Sequence, residues 1–413
     1  MKTIVDPLHT LGKPRVRENS LENKALILKQ GVISHIINQE RVTISEVAQH
    51  LNMSVPKISE IINELLKQEI LYDHGKAKSN IAGRKPNNYG LNPNFMSSLV
   101  VDIRRDRINM AVLNFKNEIV EEKKINNFDL ENTMKSYDSL CHHIQEFISE
   151  IEKKGQTISG IALSLTGRIN HKTGNSYSYY DFLPESLKNV LEKKFCVKVH
   201  IENDTRAMAF GEYLQGVAKN EENVLYIYLD NGIGMGIIAN GELYSGKSGF
   251  AGEFGHMPFL NNDLICHCGK KGCLETEASG YALIQKTIEA IESGVSTILT
   301  KKVSNLQNLK LKNIVDAARN DDILAIDILS KAGEKIGKGI AILLNLFNPD
   351  VVVLSGTTSQ AESVILLPIL SSINRFSLNL VNTDTEIKLS TLGEDSAIIG
   401  SGLLLRNKLL GLS

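Results

Sequence analysis

His256-Met257-Pro258-Phe259-Leu260-Asn261-Asn262-Asp263-Leu264-Ile265-Cys266-His267-Cys268-Gly269-Lys270-Lys271-Gly272-Cys273-Leu274-Glu275 gathers three of the chain's five cysteines into eight residues, with a histidine ten residues before the first. The spacing His-x9-Cys-x-Cys-x4-Cys offers one imidazole and three thiols, the donor set of a closed tetrahedral zinc site. Thiolates favour zinc over harder cations, and four protein ligands leave no open position for a catalytic water. His256, Cys266, Cys268 and Cys273 are therefore the expected metal ligands, and zinc the expected structural cofactor. A disulfide reading needs an oxidising compartment. The polar start from Met1 to Ser20 shows no apolar signal segment, and an odd cysteine count suits reduced thiols, so a cytoplasmic address is expected.

Around this loop, 413 residues allow two or three domains, and 42% hydrophobic with 23% charged residues suits a folded core. No apolar run reaches the roughly 18–20 residues that span a bilayer, so no membrane partner is expected. The net charge of -1 conceals an asymmetry. Residues 1–92 hold 13 Lys and Arg against 9 Asp and Glu, a balance of +4, whereas the remainder holds 33 against 38, a balance of -5. A basic front joined to an acidic body fits an anionic partner for the front.

The front has a pattern to match. Residues 21–38 repeat apolar side chains at helical spacing, among them Val32, Ile33 and Ile36. Thr43-Ile44-Ser45-Glu46 is a capping box that opens a short helix. After a turn at Asn52-Met53, Ser54 is expected to cap a second helix with Pro56 in its first turn, burying Ile58, Ile61, Ile62, Leu65 and Leu66. Two short helices after a third read as helix-turn-helix, with the last entering the major groove. Ile70-Leu71-Tyr72 and Tyr89-Gly90-Leu91 are expected as strands of a wing carrying Lys76, Lys78, Arg84 and Lys85. Double-stranded operator DNA is the expected partner, read by Ser54, Lys57, Ser59 and Asn63, with Arg84 and Lys85 on phosphate or in the minor groove. A helical module that binds protein is the competing reading. Glu60 on the same helix repels phosphate, which weakens the residue assignment more than the module.

From Pro93 onward strand-like runs alternate with helical ones in two series, which implies two α/β lobes with a cleft for a small ligand. The expected organisation is a polar tail at 1–20 and a DNA-binding domain at 21–92. A first lobe at 93–215 is joined by the terminal helix 396–413, and a second lobe at 216–395 carries the metal loop and dimerisation helices.

Here the chain resembles the ROK family of repressors, open reading frames and sugar kinases, over residues from about 20 to the end. The motifs are the cysteine run, Glu253-Phe254-Gly255-His256, Ile201-Glu202-Asn203-Asp204, Gly232-Ile233-Gly234-Met235-Gly236 and the glycine-rich Gly246 to Gly252. Gly83-Arg84-Lys85-Pro86 ahead of Leu91-Asn92-Pro93 resembles the repressor branch, of the N-acetylglucosamine and xylose type. The resemblance implies a two-lobed actin-like or sugar-kinase (ribonuclease H-like) body behind an N-terminal winged helix-turn-helix domain. It also implies that Asn203, Asp204, Glu253, His256 and Glu275 hydrogen-bond a sugar's hydroxyls, chemistry that carboxylates and amides suit. Asn203-Asp204 equally suits a helix N-cap, and the two roles are compatible.

The kinase branch is expected to be silent here. Its Asp-x-Gly-x-Thr phosphate turn corresponds to Asp102-Ile103-Arg104-Arg105-Asp106, with arginine where glycine admits the phosphate and a carboxylate in place of threonine. A Gly-Thr-Gly loop corresponds to Asp230-Asn231-Gly232, and Leu354-Ser355-Gly356 lacks paired glycines. Phosphoryl transfer is mostly positioning and charge stabilisation, so no ATP and no catalytic residue are expected. The expectation is a sugar-responsive transcriptional regulator of carbohydrate uptake or catabolism, a repressor by resemblance, acting as a homodimer or homotetramer on a sugar or sugar-phosphate effector. An active sugar kinase with a regulatory DNA module is the alternative, and a body that binds a phosphotransferase-system protein is a third reading.

Overall fold

The structure, a computed structural model, describes residues 21–76, 85–303 and 305–412. The expected tail at 1–20, together with Lys78, Gly83 and Arg84 of the basic wing segment, lies outside the described residues. Two compact units divide the chain. One comprises Met1–Leu165, Thr173–Ile201 and Ser401–Ser413; the other comprises Thr166–Lys172 and Glu202–Gly400.

The first unit opens with α1 (Leu21–Gln39), α2 (Ile44–His50) and α3 (Val55–Lys67). The capping box forms: Glu46 accepts from the Thr43 N–H at 2.6 Å, while Thr43 accepts from the Glu46 N–H at 3.3 Å. Ser54 holds the N-cap position of α3 in extended backbone but makes no side-chain cap bond, which corrects the expected cap; Pro56 sits in the first turn. Ile58, Ile61, Ile62 and Leu65 are buried against Val32, Ile33 and Ile36, whereas Leu66, expected with them, is only partly buried. The hairpin β1 (Leu71–Lys76) and β2 (Asn87–Leu91) pairs Leu71 with Leu91, and Val42 and Tyr89 exchange backbone hydrogen bonds at 3.0 and 2.8 Å. Three helices and a hairpin in this order form a winged helix-turn-helix. Its core does not end at residue 92: Met96, Phe115 and Leu410 belong to it, and Gln30 donates to the Leu410 carbonyl at 3.1 Å.

The same unit carries β3 (Ser97–Ile103), β4 (Arg107–Leu113), β5 (Ile119–Asn126), α4 (Met134–Lys153), β6 (Ile158–Leu165), β8 (Asn175–Ser176), α5 (Leu187–Phe195) and most of β9 (Lys198–Asn203); the short β7 (Ile169–Asn170) falls in the other unit. The sheet order is β5-β4-β3-β6-β9, antiparallel from β5 to β3 and parallel between β3 and β6. The edge strand β5 escapes sequence reading because its sequence is mostly polar. Its Lys123 reaches Glu146 and Glu150 of α4 instead of a core.

The second unit repeats that sheet. Its helices are α6 (Asp204–Gln215), α7 (Glu275–Ala278), α8 (Gly280–Glu292), α9 (Leu299–Lys302), α10 (Leu311–Ala318), α11 (Ile323–Phe347), α12 (Ser363–Phe376) and α13 (Asn379–Asp384). Its strands are β10 (Val224–Leu229), β11 (Ile233–Ala239), β12 (Glu242–Leu243), β13 (Val351–Ser355) and β14 (Glu386–Leu389), and the terminal α14 (Ser396–Leu410) begins here. The order β12-β11-β10-β13-β14, antiparallel on one side of β10 and parallel on the other, matches the first sheet. The α6 helix, expected with the first lobe, packs against β10 and β11, so the boundary falls before it rather than after residue 215. Proline 368 inside α12 and the absence of any fully buried side chain in β14 hid both elements from periodicity. No helix of the described residues is long and apolar enough to cross a membrane.

Candidate functional site

The metal loop begins where the 3-10 turn Phe254–His256 leaves the chain beside β11. Isolated bridges Pro258–Cys273 and Ile265–Lys271 fold the segment back on itself, and Cys266 closes the tip through bonds with Lys270 and Gly269 at 2.8 Å. Gly272 is required at φ +75°, because a Cβ there would meet the Leu260 carbonyl at 2.6 Å. The result brings the ligand atoms of His256, Cys266, Cys268 and Cys273 within 4.8 Å of one another. Sγ of Cys266 lies 3.5 Å from Nδ1 of His256, and Sγ of Cys268 lies 3.7 Å from that of Cys273. A tetrahedron with metal–sulfur bonds of about 2.3 Å and a metal–nitrogen bond of about 2.0 Å has edges of roughly 3.5–3.8 Å, so the four donors fit. Burial pushes the Cys266 and Cys273 thiols up, Cys273 to about 12. At Cys268 burial is outweighed by the Lys270 backbone N–H and the neighbouring thiols, which bring it down. A dication among the sulfurs supplies the charge that holds such thiols ionised.

The five residues of the expected sugar set all lie in the second unit, and β11 links them. Glu275, two residues beyond Cys273, accepts from the Ile233 N–H at 2.9 Å; its other oxygen lies 3.4 Å from Nδ1 of His267 and 3.8 Å from Nδ1 of His256. Nε2 of the same imidazole faces Glu253 at 3.8 Å. His256 thus presents one nitrogen to the Cys266 thiol and the other to the half-exposed Glu253 carboxylate. The Asn203-Asp204 pair opens α6. The Asn203 side chain accepts from the Arg206 N–H at 3.1 Å and donates to the Gly167 carbonyl at 3.0 Å, while Asp204, 7% exposed, accepts from the Thr205 N–H at 2.7 Å. Capping is therefore real. Thr205 leaves no room for a side chain at Gly234, and the Gly252 and Gly255 backbones pass as tightly against Met235 and Ile233. Asp204, Glu253 and Glu275 are in this way tethered around three consecutive residues of β11.

Two charged groups here escaped sequence reading. Arg206, buried in the first turn of α6, is paired with Glu202; the i,i+4 spacing was the available signal, but it looks like a solvated helix pair. Glu277 receives bonds from Asn262 of the metal loop at 2.8 Å, Lys286 at 3.2 Å and Lys335. Burial acts to raise its carboxyl, and these donors overcome that and hold it near about 2.

The residues expected to read DNA are placed by α3. Ser54, Lys57 and Asn63 are exposed and Ser59 is partly so, while Lys57 is engaged by Glu60 at 2.7 Å. Lys85 is exposed, and Arg84 lies outside the described residues.

At the two turns where loss of nucleotide is expected, Asp102 and Asp230 are hydrogen-bonded by the chain's own groups. In the first unit Asp102, fully buried, accepts from Ser164 at 2.7 Å and from Arg104 at 2.8 Å. In the second, Asp230 accepts from the Thr357 N–H at 3.2 Å, its hydroxyl at 2.7 Å and Tyr228 at 3.2 Å, and its other oxygen takes the Asn231 N–H at 2.7 Å.

A family model described as "ROK family" matches residues 98–408. The xylose repressor of Bacillus subtilis (strain 168) is 28% identical over 383 residues, covering 92% of this chain and 93% of its own length. A glucokinase of Halalkalibacterium halodurans is 30% identical over 314 residues, covering 75% of this chain and 94% of its own. Among solved structures, a ROK family transcriptional regulator titled a homologue of the Escherichia coli MLC protein superposes with a TM-score of 0.81 at 25% identity, over 94% of this chain and 98% of that one.

Proposed function

The chain belongs to the ROK family, and on that premise we propose that it is a sugar-responsive transcriptional repressor of carbohydrate genes rather than a sugar kinase. The repressor similarity runs along 92% of the chain, the winged helix-turn-helix included, whereas the kinase similarity spans 75%.

One observation carries the distinction. Asp230 occupies the turn where the kinase branch has Gly-Thr-Gly, and its carboxylate takes up the Thr357 and Asn231 backbone N–H groups. Backbone amides at such turns are what bind phosphate, and a fixed carboxylate both consumes them and repels the anion. Arg104 and Asp102 satisfy one another where glycine would admit the β-strand turn to phosphate. The hydroxyl-binding set Asn203, Asp204, Glu253, His256 and Glu275 remains, so recognition of a sugar or sugar phosphate is kept while the transition-state charge is left unsupported.

In this reading α3 enters the major groove of operator DNA through Ser54, Lys57, Ser59 and Asn63, with Arg84 and Lys85 on the backbone. Residues 21–92, their core completed by Met96, Phe115 and Leu410, are the DNA-binding domain. A homodimer or homotetramer matches two half-sites, and effector binding shifts operator affinity by ~1–3 kcal/mol per site. Zinc is the proposed metal, held by His256, Cys266, Cys268 and Cys273. It fixes the imidazole's tautomer and keeps Glu275 in register two residues beyond a ligand, and it takes no part in a reaction. A cytoplasmic address follows from a DNA partner and from thiols that must stay reduced.

A coupled ATP-consumption assay over hexoses, pentoses and amino sugars tests the proposal. No turnover above background is expected; rates of roughly 1–100 per second would establish the kinase instead.

A further inference from the structure

We infer that Arg206 is a positioning residue of the effector site: it staples the loop at residues 166–172 to the glycine-rich loop at 246–252 and thereby sets the pocket in which the sugar is recognised. This rests on the sugar-binding reading above.

Arg206 is 3% exposed, yet every arm of its guanidinium is engaged within the second unit. Nε and one terminal nitrogen donate to the same Glu202 oxygen at 2.8 and 2.5 Å. That nitrogen also donates to the Ile169 carbonyl at 2.9 Å, and the other terminal nitrogen donates to the Gly249 carbonyl. The two carbonyls belong to loops that touch directly. Gly249 sits at φ +82°, and any Cβ there would run into the Ile169 carbonyl oxygen. Each loop leads to a residue of the effector set. Gly167 accepts from the Asn203 amide at 3.0 Å, and the 246–252 loop runs straight into Glu253. Arg206's own N–H is the group that Asn203 caps. One planar, five-donor cation thus fixes two loops at once, while the backbone N–H of the same residue holds the cap residue. A lysine has a single tetrahedral ammonium and cannot serve a carboxylate and two divergent carbonyls together.

Preorganisation of this kind appears in ligand affinity, since loops that are free before binding must be ordered by it. The test is calorimetric titration of the full-length wild type and Arg206→Lys with D-xylose, D-glucose, D-galactose and their phosphate esters, alongside metal content and amide hydrogen exchange. Arg206→Lys is expected to bind the recognised sugar about 10- to 100-fold more weakly, as for loss of hydrogen bonds to a charged group. Metal content and sugar-free duplex binding stay unchanged, and exchange rises in 166–172 and 246–252 but not in β10. Equal sugar affinity overturns the staple. Should Arg206→Lys not fold, Gly249→Ala breaks the same contact from the other side and must reproduce the defect, and unaltered affinity there overturns it too. If the wild type binds none of these sugars, the effector reading falls; the staple is then judged by exchange alone, and unchanged rates in both loops refute it.

Discussion

Replacing Leu410 with alanine should loosen the winged helix-turn-helix at the opposite end of the sequence. Leu410 is 0% exposed and belongs to the same core as Ile33, Ile58 and Leu65, with Gln30 donating to its carbonyl at 3.1 Å. Leucine to alanine removes three carbon groups, at about 0.8 kcal/mol each for transfer alone, or ~2.4 kcal/mol. The backbone bond to Gln30 resists collapse of the site, so a cavity term adds to this, for a total of about 3–4 kcal/mol. The readout is amide exchange of peptides covering 44–67, with those covering 224–239 as an internal control. At about 1.4 kcal/mol per decade, exchange across α2 and α3 should accelerate by about a hundredfold or more while the second sheet is unchanged. Leu380→Ala, at a position 83% exposed, should do nothing measurable. Unchanged protection of 44–67 in Leu410→Ala would refute the packing of the last turn of α14 into the core of the N-terminal helices and hairpin.

Arg406 should be dispensable for stability: it is 4% exposed with one long bond to the Phe115 carbonyl at 3.4 Å, and burial lowers its guanidinium to about 10, so Arg406→Met should raise the urea midpoint by an equivalent of about 1–3 kcal/mol. A lowered midpoint would contradict this. Glu277→Gln should destabilise the protein by about 2 kcal/mol at neutral pH. Because the folded carboxyl titrates near about 2, below its value of 4.5 when free, the wild-type advantage is complete above about pH 4.5 and fades as pH falls towards 2. A gap between the two proteins that widens on acidification would contradict the assignment. Glu60→Gln should release Lys57 and remove a charge that faces phosphate, tightening duplex binding and steepening its salt dependence by up to about one unit of slope. Weaker binding would show that Glu60 reads a base.

The cysteine loop was legible because its ligands are close in sequence and rare in type, and the front module because a capping box is a local signal. Asn203 was legible both as cap and as site residue, and the structure shows the cap. What stayed hidden is non-local. The sequence of α14 is apolar around much of its circumference, so periodicity cannot say that Leu410 packs into a module about 380 residues away, where Gln30 of α1 donates to its carbonyl. The α6 helix is buried along its first nine residues, which erases the stripe that would have assigned it to the second sheet. Arg206 and Glu277 are charges inside the fold, and sequence reading assigns charges to solvent by default. Arginine at 104 and aspartate at 230, where the resemblance implies glycine, were visible, but that Asp230 would itself take up the Thr357 and Asn231 donors required the turn's geometry.

Sugar recognition coupled to DNA release, without turnover, is open to fluorescence anisotropy of the purified protein on duplex DNA from upstream of its own gene, titrated with a panel of sugars and sugar phosphates. Salt-dependent binding that one sugar reverses, with no requirement for ATP, is the predicted result. Failure to bind any duplex, or binding that no sugar on the panel alters, would contradict it.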